Sequence, residues 1–154
     1  METTLRPRLW PWLCGAAAIA FAGSLPGLYP EASRGFPENR FPKAALAEAP
    51  ALGVGPHVFS EYGWGGYVGW ESRGKFRVFI DGRAGFFGPE LLRDYLTADS
   101  ASPGWEEVLR RWRPDWMLLS PGSPLAAAAE RSGGWTIVRR DELSLILVPS
   151  REGS

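Results

Sequence analysis

An uncharged, mostly apolar run at residues 9–30 opens the hydrophobic pattern of the chain. As a helix rising about 1.5 Å per residue, residues 9–25 alone span roughly 26 Å, slightly less than a hydrocarbon core of about 30 Å. Arg6 and Arg8 precede the run, so the positive-inside rule keeps the N-terminus in the cytoplasm and exports the remainder. We therefore expect residues 1–30 to form one transmembrane segment.

The same run allows two other interpretations. Ala20-Phe21-Ala22 before Gly23 has the small-x-small pattern of a cleavage site and follows a basic start, as in a signal peptide. The run could also form an apolar core helix. Because an anchor and a signal peptide both export the chain that comes after them, two of the three interpretations place the remaining residues outside the cytoplasm.

Polar residues interrupted by proline occupy positions 31–42, a composition typical of a linker. A short helix is expected over 43–49, with proline just before it, and Pro50 and Gly53 end it. The remaining pattern predicts a single domain over residues 43–150.

Strand candidates alternate with helix candidates through this domain. The alternation predicts an α/β fold: a small, mostly parallel sheet of about five strands with helices on its faces. The last two strands, separated by a polar turn, should form an antiparallel C-terminal hairpin. The strands are expected at 57–62, 76–80, 116–119, 135–138 and 143–148.

Two of the predicted helices have a clear apolar face. Pro89 should occupy the first position of one helix, and Ser123-Pro124 should cap another, which Gly133 ends. The helix after Pro89 should bury Leu91, Leu92, Tyr95 and Leu96. The helix after Pro103 should bury Trp105, Val108, Leu109 and Trp112, at positions i, i+3, i+4 and i+7.

Composition supports a folded domain and excludes several classes of function. Hydrophobic residues make up 45% of the 154 positions, with eight Trp, and 17 basic residues balance 17 acidic ones. This balance gives no strong overall field to attract nucleic acid or anionic lipid, so we expect no nucleic-acid partner. Cys14 and His57 are the single cysteine and histidine, so we expect no disulfide, no metal site and no cofactor.

Candidate ligand-binding residues follow the first two strands. Glu61 and Asp81 end these strands, where open α/β sheets bind ligands, and Trp64, Tyr67 and Arg83 lie in the segments that follow them. Carboxylates, a guanidinium and aromatic faces suit a sugar or a sugar phosphate. Purely structural roles are the favoured alternative, since a carboxylate before glycine favours a turn and the aromatics have helical spacing.

Two motifs carry a resemblance to a known family. The first is Gly63-Trp64-Gly65-Gly66-Tyr67, which we expect in a glycine-rich loop, and the second is Phe79-Ile80-Asp81-Gly82-Arg83. Over about residues 36–149 the chain resembles the C-terminal soluble region of bacterial multi-spanning membrane proteins similar to GT-C-type glycosyltransferases. That family uses lipid-phosphate sugars, with catalytic carboxylates expected in an early extracytoplasmic loop. No segment here matches that loop, so the resemblance transfers no catalytic residue.

The sequence therefore predicts a membrane-anchored, extracytoplasmic accessory or interaction domain without catalysis of its own. It would be the detached or truncated C-terminal part of a GT-C-like glycosyltransferase protein. The expected partners are the lipid bilayer, a multi-spanning membrane protein and a glycan or lipid-linked sugar. The alternative is a small exported enzyme or binding protein that acts on a sugar or lipid-linked sugar phosphate through Glu61, Asp81 and Arg83.

Overall fold

The computed structural model describes residues 35–150, and strands and helices alternate within them as the sequence predicts. The strands are β1 (His57–Ser60), β2 (Arg77–Val78), β3 (Trp116–Leu119), β4 (Trp135–Arg140) and β5 (Leu145–Pro149). The helices are α1 (Lys43–Glu48), α2 (Tyr62–Glu71), α3 (Ala84–Asp99), α4 (Trp105–Trp112) and α5 (Pro124–Ser132). A 3-10 helix, Ala49–Leu52, extends α1 and ends at Gly53, whose φ is 68°.

The five strands form one mixed sheet in the order β2-β1-β3-β5-β4. Strand β1 is parallel to β2 and β3, whereas β5 is antiparallel to both β3 and β4. The α/β class, the five strands and the C-terminal hairpin are confirmed, but the mostly parallel sheet is wrong. The cause is the position of β5 between β3 and β4, which makes two of the four strand pairings antiparallel.

Burial explains why β5 is central and β4 is at an edge. Leu145, Ile146 and Leu147 are all at most 2% exposed, as expected for a strand covered on both faces. Strand β4 alternates between half-buried and exposed positions and contains an irregularity in its pairing between Ile137 and Arg139. The other edge, β2, is only two residues long.

One face of the sheet packs against α3, α4 and α5. Successive residues of a strand point to opposite faces, and Phe59, Met117 and Leu119 point into this core. The core is completed by Tyr95 and Ala98 of α3, Val108 and Leu109 of α4, and Leu125, Ala126 and Ala129 of α5.

The predicted helix ends are mostly confirmed, but two side chains are more exposed than expected. The helix after Pro89 begins where Gly88, with φ 84°, breaks α3, and Ser123 caps α5 by accepting a hydrogen bond from the Ala126 amide. Leu96 is 55% exposed and Trp112 is 44% exposed. Their predicted burial is wrong because Tyr95, Val108 and Leu109 already cover the sheet from these two helices.

No helix within residues 35–150 is long and apolar enough to cross a membrane. The segment predicted at residues 1–30 lies outside the described residues, as does the start of the predicted linker. The transmembrane segment therefore stays a prediction of the sequence.

Candidate functional site

The glycine-rich segment after β1 is the helix α2 and not the predicted loop. Glycine lowers helix stability, but here it allows close packing. A Cβ on Gly65 would lie 2.2 Å from the Ile80 carbonyl oxygen and 3.1 Å from the Asp81 Cα. The helix thus rests directly on the chain that follows β2, and the two motifs that carry the family resemblance touch each other.

Trp64 and Tyr67 point from α2 into the domain and are 6% and 2% exposed. The Trp64 Nε1 donates a hydrogen bond of 3.0 Å to the Arg40 carbonyl, and the Tyr67 ring packs at 5.1 Å from that of Phe41. Burial raises the pKa of Tyr67 to about 12, with a contribution from the nearby Glu71 carboxylate. Both aromatic side chains therefore hold residues 40–41 against α2. This is the packing role that their helical spacing allowed.

Glu61 joins the carboxyl ends of two neighbouring parallel strands. Its Oε1 accepts a hydrogen bond of 2.7 Å from the Ser120 amide, and its own amide donates to the Leu118 carbonyl at 3.3 Å. The carboxylate therefore lies at the edge of the sheet where ligands bind in open α/β folds, but one of its oxygens supports the main chain.

Asp81 and Arg83 close the turn that follows β2. Asp81 is 6% exposed and accepts from the Arg83 amide at 2.9 Å, from Nη2 at 2.7 Å and from Nε at 3.1 Å. These bonds hold the pKa of Asp81 below its usual value and raise the pKa of Arg83. The Arg83 side chain is nevertheless 74% exposed, so the pair presents a fixed guanidinium at the surface.

Strands β1 and β2 are parallel neighbours, so Glu61 and Asp81 follow the same edge of the sheet, as predicted. Each carboxylate has its own partner: the Ser120 amide for Glu61 and Arg83 for Asp81. Internal hydrogen bonds therefore stabilise this edge, and the exposed Arg83 guanidinium lies at its surface.

Sequence reasoning missed Tyr95 and Asp99, which lie close to Glu61. The Tyr95 hydroxyl donates to Asp99 Oδ1 at 3.3 Å, and the ring centroids of Tyr95 and Tyr62 are 6.2 Å apart. Burial raises the pKa of Asp99, and the Glu61 carboxylate adds to this effect. Burial also raises the pKa of Tyr95. The sequence did offer one signal: Tyr95 and Asp99 are four residues apart, a spacing that places two side chains on the same face of a helix.

His57 lies at the opposite end of β1. Its Nδ1 is 3.1 Å from Asp115 Oδ2, which also accepts from the His57 amide at 2.7 Å. This contact joins the start of β1 to the start of β3. Within residues 35–150, no group of three or more His, Cys, Asp or Glu residues is arranged to hold a metal ion.

Comparisons of the chain with protein-family models, with curated proteins and with solved structures find no match. The resemblance to GT-C-like membrane proteins therefore rests on the two sequence motifs. In the fold these motifs have a physical role, because Gly65 of the first contacts Ile80 and Asp81 of the second.

Proposed function

We propose that this protein is a membrane-anchored interaction domain, held outside the cytoplasm, that contacts a multi-spanning membrane protein and has no catalysis of its own. The supporting observation is the side chain of Phe86, which is 90% exposed three residues after Arg83. Burial of this ring under a partner would be favourable, because it removes apolar surface from water.

The turn before Phe86 is held by hydrogen bonds. Asp81 fixes the Arg83 main chain and guanidinium, and the Phe86 amide donates to the Arg83 carbonyl at 2.8 Å. A guanidinium held in place loses little conformational entropy on binding, and arginine is enriched, together with tryptophan and tyrosine, among the residues that dominate interface energies.

The candidate site residues support an interaction role over an enzymatic one. Trp64 and Tyr67 are buried, Glu61 binds the Ser120 amide and Asp81 binds Arg83. An acid–base pair needs groups that reach a substrate, whereas these groups stabilise the fold. The predicted likeness to the C-terminal region of GT-C-like proteins suggests the partner class: a multi-spanning membrane protein that handles lipid-linked sugars.

Site-specific photocrosslinking in cells tests this proposal. A benzoyl-phenylalanine at position 86 should crosslink the chain to one membrane protein, and the same group at Arg131, an exposed position of α5, should not. A reporter fused after Ser154 should be active only outside the cytoplasm. Equal crosslinking from both positions would contradict the interface, and a cytoplasmic reporter signal would contradict the topology.

The alternative function, binding of or action on a sugar, is favoured by one observation. Glu61, Tyr95 and Asp99 lie together at the carboxyl edge beside Tyr62, whose side chain is 42% exposed. Carboxylates beside an exposed aromatic ring suit the hydroxyls and the apolar face of a sugar. Glycan-array binding by the wild type that is lost in Asp99→Asn would support this alternative, and an array without signal would remove it.

A further inference from the structure

The turn after α2 and the first residue of β2 present three exposed cations. Arg73, Lys75 and Arg77 alternate with Gly74 and Phe76, and all three are exposed. None of them forms an ion pair with another residue in the range 35–150, unlike Lys43, which lies 3.6 Å from Glu38. The charge of this turn is therefore directed to solvent.

The turn is held in shape by its own hydrogen bonds. The Gly74 amide donates to the Gly69 carbonyl at 3.1 Å, and the Phe76 amide donates to Ser72 Oγ at 3.3 Å. Arg73 has a φ of 52°, a left-handed conformation that glycine or asparagine adopts more readily than arginine. The two hydrogen bonds give the turn a defined backbone shape.

A groove of about 480 Å³ lies between α1 and this turn. Its apolar wall includes Leu46 and Pro50, and Glu71 is the acidic residue that borders it. The basic residues that line it are Lys43, Arg73 and Lys75.

Trp70 lies close to the three cations in the sequence and is also exposed. It is 74% exposed, and its carbonyl accepts a hydrogen bond of 3.0 Å from the Arg73 amide, so Trp70 and Arg73 belong to one turn. Tryptophan beside Lys and Arg is the combination that membrane–water interfaces favour.

We propose that Trp70 and the cations at 73, 75 and 77 form a docking surface for an anionic phospholipid bilayer. An apolar ring would enter the headgroup region while the three cations contact lipid phosphates. Each Lys or Arg near an anionic membrane strengthens association about fivefold, so three of them outweigh the single Glu71.

The segment at residues 40–41 packs on the helix that ends at the basic turn. The Arg40 carbonyl accepts a hydrogen bond from Trp64, and the Phe41 ring packs against that of Tyr67. The inference rests on the proposed anchoring, which would keep the domain close to a bilayer.

Hydroxyl-radical footprinting of the full chain in lipid nanodiscs tests the docking surface. With phosphatidylglycerol, the labelling rate of Trp70 should fall several-fold relative to nanodiscs of phosphatidylcholine, and high salt should restore it. Phe86, which is 90% exposed, serves as the internal reference and should label equally in both lipids. Equal labelling of Trp70 in both lipids would overturn the proposal.

Charge reversal provides the matched controls. Arg73→Glu with Lys75→Glu should abolish the protection of Trp70, whereas Arg93→Glu with Arg131→Glu, which changes the charge equally on α3 and α5, should leave it. Protection that survives the first pair overturns the docking surface. Sedimentation with phosphatidylcholine vesicles reports on the anchor separately: a chain that binds only anionic vesicles retains the docking surface and lacks the proposed anchor.

Discussion

The Glu61 carboxylate accepts a hydrogen bond of 2.7 Å from the main-chain amide of Ser120, across the carboxyl ends of β1 and β3. The two residues are 59 positions apart in the sequence, so one side chain fixes the edge of the sheet where a ligand or partner would approach. A residue that looks catalytic from its position after a strand is therefore, first of all, a support for the fold.

Loss of this contact should be measurable. Glu61→Ala should lower the free energy of unfolding by about 1–3 kcal/mol, because the Ser120 amide loses a charged acceptor. Glu61→Gln keeps an acceptor oxygen and should cost less. Urea denaturation of the two variants checks this, and equal stability of Glu61→Ala and the wild type would contradict the structural role.

Gly65 should be intolerant of a side chain. Its Cβ would lie 2.2 Å from the Ile80 carbonyl oxygen, so Gly65→Ala should cost about 1–3 kcal/mol through overpacking. Gly66, the next residue of α2, has open space within 4 Å of the position that a Cβ would occupy, and Gly66→Ala should stabilise the helix by about 0.5–1 kcal/mol. Thermal unfolding of the pair distinguishes them, and a similar change in both would show that α2 does not pack closely on Ile80.

Replacing the two tryptophans that flank the α4–β3 connection should lower the free energy of unfolding by different amounts. Trp116 is fully buried, so Trp116→Ala should cost about 3–5 kcal/mol. Trp112 is 44% exposed and donates from Nε1 to Asp94 at 2.8 Å, so Trp112→Ala should cost only about 2 kcal/mol. Chemical denaturation measures both, and a larger loss for Trp112 would mean that its exposed face is covered.

Asp81→Asn should reduce stability in a pH-dependent way. Arg83 holds the pKa of Asp81 below its ordinary value of 3.8, so the ionised pair stabilises the fold above about pH 4. This contribution is lost as the pH falls through the lowered pKa. The wild type and Asp81→Asn should therefore differ at pH 6 and converge in stronger acid, whereas a pH-independent difference would rule out the ion pair as its cause.

Asp99→Asn should have the opposite effect. Burial raises the pKa of Asp99 above 3.8, so the ionised carboxylate destabilises the fold at neutral pH and the protonated form does not. The variant should be more stable than the wild type at pH 7, and the two should converge below about pH 4. Unfolding midpoints across this range provide the check, with Glu130→Gln, an exposed carboxylate of α5, as the control.

Much of the fold was predictable because the local signals were strong. The unbroken apolar run that forms β3, the Ser123 cap and Gly133 at the end of α5 each determine their element through burial or main-chain geometry. The sequence also contained the signal for the central position of β5. Leu145, Ile146 and Leu147 are continuously apolar, whereas β4 ends in Arg139 and Arg140.

The helix α2 could not be predicted with the same ease. Gly63, Gly65, Gly66 and Gly69 make its intrinsic helix propensity low. The helix is stabilised by tertiary packing, through the close approach of Gly65 to Ile80 and the burial of Trp64 and Tyr67. The location of Glu61 and Asp81 at one edge of the sheet was predictable, but the contact of Glu61 was not. Hydrogen bonds between distant segments, such as Glu61 with Ser120, depend on the register of β1 and β3, which a single sequence does not specify.

The two edge strands of the sheet, β2 and β4, bear on the proposed membrane anchoring. Anchoring confines copies of a protein to two dimensions and brings their surfaces together often. A long, flat strand at the border of a sheet would then pair with its counterpart in a neighbouring copy and seed aggregates. Here β2 offers only two residues, and β4 is interrupted between Ile137 and Arg139 and ends in charged side chains. Both borders are therefore poor templates for edge-to-edge aggregation between copies.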